Sequence, residues 1–172
     1  MRYHISLKFI HWLTALIVVG MLACGFIMTD LDSKIYPIKW SLYSWHEDIG
    51  IIVLLLTLLR LLLRNTTKTP PLPIEFSKLI KFGAHMMHYL FYVVLVAQPI
   101  FGYLMATFGG HKVLFFGIPL PALVESNKEF AGLAAEAHEI TALILIAMIC
   151  LHVLVALKHR YLDKQDIIYR MT

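Results

Sequence analysis

Charge is scarce in this chain: Asp, Glu, Lys and Arg make up only 15% of its 172 residues. Apolar residues make up 59% and the mean hydropathy is +0.74, which excludes an ordinary soluble domain and points to an integral membrane protein. Cysteine is scarcer still. Cys24 falls near the outer end of a first apolar span and Cys150 in the inner part of the last, so they lie at different depths and too far apart for a disulfide. There is no Cys-x-x-Cys-His, which excludes covalently attached c-type haem. No separate basic domain exists either. The pI near 9.1 comes from cations flanking apolar spans, so nucleic acid is not an expected partner. Internal repeats and low-complexity segments are absent.

What is present are four apolar stretches, each about the 20 residues that cross a bilayer. They are expected over about 6–28, 46–64, 81–107 and 134–158, giving an all-α, four-helix membrane bundle in a single domain covering 1–172. Arg2 and Lys8 before the first stretch, with Met21-Leu-Ala-Cys-Gly25 inside it, faintly resemble a cleaved leader. The run is too long for that, and His11 and Trp12 sit in its opening turns, so a first membrane helix is expected. Trp40 and Trp45 suit an aromatic belt. Asn65-Thr-Thr-Lys-Thr-Pro-Pro-Leu-Pro73 cannot continue a helix and reads as an extended connector. Pro99 is expected to kink the third helix beside Gly102. The longest loop, Phe108 to Leu133, is expected to carry a short amphipathic piece around Val124 to Phe130.

Basic residues set the orientation. Eleven of the fifteen lie with the termini and the proline connector; only Lys34, Lys39, Lys112 and Lys128 lie opposite. The imbalance puts both termini in the cytoplasm. Most acidic residues, including Glu47, Asp48, Glu136 and Glu139, fall on the outer side.

Topology then sorts the nine histidines by depth. His138 and His152 sit near the two ends of the fourth span. Fourteen residues separate them, about 21 Å along a helix and about 40° short of four full turns, so both leave one face. His11 falls at the level of His152, and His46 at the level of His138. Polar side chains in lipid are costly and mark functional candidates. Two imidazole pairs, one above the other, suit low-spin haem iron, which takes neutral nitrogen at both axial positions. Zinc fits less well, since each level offers two strong ligands where a structural site takes four. The plain alternative is that these histidines end helices and bond to neighbours. Four residues after each comes a small one (Ala15, Gly50, Ala142, Ala156), where a flat macrocycle would need clearance; close helix packing would explain them equally. His85 and His88 lie at the inner level, and either could replace His11.

Several motifs recur in a fixed order: Ile10-His11-Trp12, Trp45-His46 with Gly50, Arg60-Leu-Leu-Leu-Arg64 followed by Thr69-Pro-Pro71, and Ala84-His-Met-Met-His88. Ala137-His138-Glu139, Leu151-His152, His159-Arg-Tyr161, Asp163-Lys164 and Arg170-Met171 complete the set. Each is weak alone, and the ordered set is fairly specific. Across nearly its whole length the chain resembles the bacterial cytochrome b561 family, four-helix proteins of the inner (plasma) membrane with two non-covalent b haems. The resemblance implies bis-histidine ligation by His11 and His152 at the inner haem and by His46 and His138 at the outer one. Lys158 before His159 departs from some relatives, which place a small residue or another histidine there.

The remaining polar residues stay open. Arg60 and Arg64 could bind inner-haem propionates or could simply end the helix at the interface, and Lys8 and His88 have the same two readings. His159, beside Lys158, could deliver a proton to a quinone or be an interfacial side chain. Glu47 and Glu139 adjoin the outer ligands, and Lys112 and Lys128 could draw an anion there. Some members of the family oxidise superoxide and pass the electron to ubiquinone, so the resemblance implies an oxidoreductase working between an outer-face reactant and membrane quinone. The alternative is a haem-b relay and anchor subunit for a separate dehydrogenase or hydrogenase, for which a redox partner protein would be needed. A histidine-lined metal or proton transporter would need polar residues at mid-membrane, where the spans are aliphatic.

Overall fold

The computed structural model describes residues 2–32 and 34–172. Four helices dominate it: α1 (Ile5–Asp30), α2 (Ile38–Thr66), α3 (Lys78–Phe108) and α4 (Lys128–Tyr161). All four are long and apolar enough to cross a membrane. Between α3 and α4 lies a hairpin of two short antiparallel strands, β1 (Leu114–Phe115) and β2 (Ile118–Pro119). A 3-10 turn, Ile168–Arg170, ends the chain's regular structure.

Local chemistry starts and stops these helices. Ser77 caps α3 by accepting from the Ile80 amide (3.3 Å), and Asn127 caps α4 by accepting from Glu129 and Phe130 (3.0 and 3.2 Å). Glu129 in the first turn of α4 and Lys158, His159 and Arg160 in its last turn complement the helix dipole. Pro37 starts α2, where its missing N–H costs nothing. Helix α2 therefore begins at Ile38, ahead of the apolar run, and places Trp40, Trp45 and His46 on helix. Helix α3 runs unbroken through Pro99.

The loop before α4 differs from expectation. Val124 to Asn127 form no helix, because the Asn127 cap starts α4 only at Lys128. The chain spends the preceding residues on the hairpin, whose turn puts Phe116 (φ 48°) and Gly117 (φ 85°) in the left-handed region. That geometry matches the twist of the flanking strands. Asp48 of α2 secures the turn by accepting from the Phe116 amide (2.7 Å), and the Trp45 ring meets Phe116 edge-on at 6.3 Å.

Packing joins α1 to α2, α2 to α3 and, most extensively, α3 to α4, while α1 and α4 barely meet. Most large apolar side chains face outward, as lipid contact requires. The small core is a plug of Val18, Val53, Val94, Leu95, Leu145 and Met148, with at least one residue from every helix. On α1 and α4 it lies between the two histidine levels.

Candidate functional site

Each level brings two imidazoles together across the open seam of the bundle. His46 of α2 and His138 of α4 have ring centres 6.2 Å apart, and His11 of α1 and His152 of α4 are 6.5 Å apart. Two metal–imidazole bonds of about 2.0 Å, plus about 1.2 Å from nitrogen to ring centre on each side, give about 6.4 Å. Both separations lie close to that value. Their ring planes are crossed by 73° and 78°.

Second contacts orient the rings. His138 Nδ1–H donates to the Gln98 carbonyl (3.0 Å), and its Nε2 lies 3.4 Å from the Gln98 side-chain nitrogen, which donates to it. The Gln98 amide donates to the His138 carbonyl (3.1 Å), and its oxygen accepts from the Thr141 hydroxyl. Gly102 lies flat against the same ring: a Cβ there would stand 3.1 Å from Cε1 and 3.3 Å from Nδ1. A Cβ at Gly25 of α1 would meet His46 Cε1 at 3.6 Å, an ordinary van der Waals contact. His11 Nδ1 and His46 Nδ1 are buried without a hydrogen-bond partner. Bare buried nitrogens are costly, so these rings fit a bound group that the protein alone does not supply.

The family profile described as prokaryotic cytochrome b561 matches residues 2–172. Cytochrome b561 homolog 2 of Escherichia coli (strain K12) is 33% identical over 174 residues, covering 99% of this chain and 90% of the relative. The probable superoxide oxidase CybB of Yersinia pestis is 28% identical over 166 residues (94% and 90%). Cytochrome b561 homolog 1 of Escherichia coli (strain K12) is 28% identical over 178 residues (99% and 96%). The chain belongs to the prokaryotic cytochrome b561 family. It is a multi-pass b-type cytochrome of the bacterial inner membrane that works in electron transfer.

In this cytochrome the inner level holds a third imidazole. His88 of α3 stands 6.0 Å from His152, centre to centre. Its Nδ1–H donates to the Ala84 carbonyl (2.7 Å), and His85 does the same toward Lys81 (2.6 Å). The His88–His152 separation is similar to the other two, so His88 stays beside His11 as a partner for His152. Arg60 and Arg64 of α2 both lie 6.0 Å from the Tyr92 ring. Neither makes an ion pair among the described residues, and the Tyr92 hydroxyl is buried without a partner. Arg64, His85, His88 and Tyr3 border a cavity of about 100 Å³ under the proline connector. Four cationic or donor groups without an acid form a ready cradle for carboxylates. Lys8 is committed elsewhere, donating to the Thr172 backbone oxygen (2.6 Å).

His159 is buried, 5% exposed, and lies against the Phe76 ring at 4.7 Å. Its Nδ1 meets the Asp163 carboxylate at 2.6 Å, which Lys158 also contacts at 2.7 Å. At the level of His46 and His138, Glu47 is half-buried and Glu139 exposed, while Lys112 and His111 border a cavity of about 250 Å³ beside the hairpin. Lys128 is exposed at the start of α4.

Sequence reasoning gave no part in the site to Gln98, Gly102, Gly25, Tyr92 or Phe76, and held Asp163 only as part of a motif. Gly50, noted for its spacing from His46, would meet only Met21 (3.8 Å), an ordinary helix–helix contact. The glycines that touch imidazole stand on neighbouring helices, where spacing along one chain segment carries no signal.

Proposed function

We propose that this chain is a dihaem cytochrome that takes single electrons from superoxide at its outer face and delivers them to a membrane quinone. His46 and His138 hold the outer haem, and His11 and His152 the inner one. Both termini face the cytoplasm, from the eleven-to-four split of basic residues. The observation that carries this is the pair of imidazole gaps, 6.2 and 6.5 Å wide, stacked on one face of α4. Each haem, when bound, supplies an iron that cycles between ferric and ferrous states at a potential set by its ligands and burial.

The chain's own groups do the rest. Gln98 and Gly102 fix the His138 ring. Arg60, Arg64 and His88 neutralise and hold the inner propionates, which accounts for two half-buried guanidinium groups without acids. The aliphatic plug between the levels keeps water and ions out, so charge crosses as electrons. Lys112 supplies positive charge for an anionic reactant near the outer pair. His159, with Lys158, serves the quinone's proton chemistry. Two superoxide anions, one quinone and two protons balance to two dioxygen molecules and one quinol. The printed name of the Yersinia relative supports superoxide as the donor.

The test is a dithionite-reduced minus oxidised spectrum with pyridine haemochrome quantitation, on the wild type and on His138→Ala, His152→Ala and His88→Ala. Two b haems per chain are expected, with each of the first two substitutions removing one and the third removing none. Well-folded protein with one haem or none would sink the dihaem assignment. Two haems that neither superoxide nor quinol reduces would sink the substrates.

A further inference from the structure

The end of α4 is folded back on itself. The Lys158 carbonyl accepts from both Leu162 (2.8 Å) and Asp163 (3.1 Å), and the His159 carbonyl accepts from Gln165 (2.7 Å). Lys164 takes a left-handed conformation (φ 55°) to make this turn. The reversal brings the Asp163 carboxylate against the last helical turn. Its Oδ2 accepts from His159 Nδ1 (2.6 Å) and from Lys158 Nζ (2.7 Å), and Oδ1 accepts from the same ammonium (3.0 Å). The imidazole side chain is 7% exposed while Asp163 and Lys158 are 34% and 54% exposed. A buried imidazole is thus joined to the aqueous rim through one carboxylate. Phe76 covers a face of the ring. Among the described residues Nε2 makes no hydrogen bond.

A buried ring carries a proton charge only where an opposite charge offsets the lost hydration. With Nδ1 tied to a carboxylate, one nitrogen is left for exchange, as an orienting acid does for a catalytic histidine. We propose that Asp163 is a positioning residue for quinone protonation: it fixes Nδ1–H of His159, so that Nε2 gives its proton to the oxygen of a reduced quinone. The inference rests on the proposal that His159 serves the quinone. In each one-electron step the quinone accepts an electron that left an outer-face superoxide. The Nε2–H bond breaks as the quinone O–H bond forms, and two such steps make the quinol. Neutral His159 keeps Nδ1–H on Asp163 and is reloaded at Nε2 from water. Asp163 stays ionised throughout, because the Lys158 hydrogen bond first, and His159 second, hold its carboxyl below the usual carboxylate range.

The experiment follows reoxidation of the reduced, haem-loaded protein by decylubiquinone, reading haem absorbance. Asp163→Asn should slow the saturating rate by about tenfold or more, with little change in the half-saturating quinone concentration. Asp163→Glu should restore most of it, and His159→Gln should be at least as slow as Asp163→Asn. A slow His159→Gln beside a wild-type Asp163→Asn would overturn the role of Asp163 alone. If both variants kept the wild-type rate, the quinone assignment at His159 would fall with it. Should Asp163→Asn lose its haems, nitrogen-15 NMR of histidine-labelled wild type decides. A His159 protonated at Nδ1 supports the proposal, and one with Nδ1 bare overturns it.

Discussion

Gly102 marks where a single methyl group would be felt. Its place against the His138 ring leaves no room for a Cβ without moving the imidazole by a few tenths of an ångström. The ring cannot yield freely, since Nδ1 is bonded to Gln98, four positions before Gly102 on α3. Alanine would add about 1 kcal/mol of helix propensity, so the helix itself should tolerate Gly102→Ala. The expected outcome is a shifted midpoint potential and altered band of the outer haem alone, with the inner haem unchanged, read by spectroelectrochemical titration. Two unmoved potentials would mean that His138 is not an iron ligand in this position. At this scale the sequence was informative for the four histidines, because a membrane-embedded imidazole and a fourteen-residue step can be read along one helix. It was silent on Gln98, Gly102 and Tyr92, whose meaning comes from the register between α3 and its neighbours.

At the scale of elements, the hairpin after α3 depends on one carboxylate. Asp48 is 8% exposed and receives the amide of Phe116, a non-glycine residue in the left-handed region. Asp48→Ala leaves that amide unmatched, a loss of about 1–3 kcal/mol, whereas Asp48→Asn keeps an acceptor oxygen. Amide hydrogen exchange across Leu114 to Pro119 should therefore quicken markedly in the alanine variant and little in the asparagine one. Equal protection in all three would show that strand pairing and the Trp45 contact suffice. The sequence predicted an amphipathic piece near here because Val124 and Phe130 alternate with charges, but Asn127 between them is a cap and splits that stretch.

The α4 terminus gives the second element-scale prediction. The Asp163 carboxyl is depressed in the folded state, so its contribution is present above the unfolded value of about 3.9 and lost as pH falls through the lower, folded value. The clamp on His159 and Lys158 should hold at pH 5 and loosen only below about pH 4, seen as faster exchange of the Leu162 to Gln165 amides. Loosening already at about pH 6 on acidification would mean that a group other than the Asp163 carboxyl releases it. His159 looked like an interfacial side chain in sequence because its partner lies past the helix end, in a turn that Lys164 closes without glycine.

For the whole molecule, the two ends differ in charge and in how they are tied. At one end the tail crosses the bundle: Met171 accepts from the Trp12 indole (2.8 Å), Arg170 from the Tyr3 amide (3.1 Å), and the Arg170 guanidinium donates to Pro70 and Pro71 (2.8 and 2.6 Å). These bonds gather α1, the proline connector and the tail into one basic platform beside the inner histidines. The other end carries the hairpin, with acids outnumbering bases. The orientation decides which histidine pair meets an outer-face reactant, and it follows from the charge split alone. Substituting Cys24→Ala and Cys150→Ala removes the native thiols, of which Cys24 is half-buried and Cys150 exposed. Single cysteines at Lys34, Lys112, Lys68 or Lys164, all loop or tail positions, then report sidedness in intact cells. A membrane-impermeant maleimide should label Lys34→Cys and Lys112→Cys, and should reach Lys68→Cys and Lys164→Cys only after the membrane is opened. The reverse pattern would place His11 and His152 at the outer face, and would turn the buried His159 and its carboxylate toward the periplasm instead of the cytoplasm.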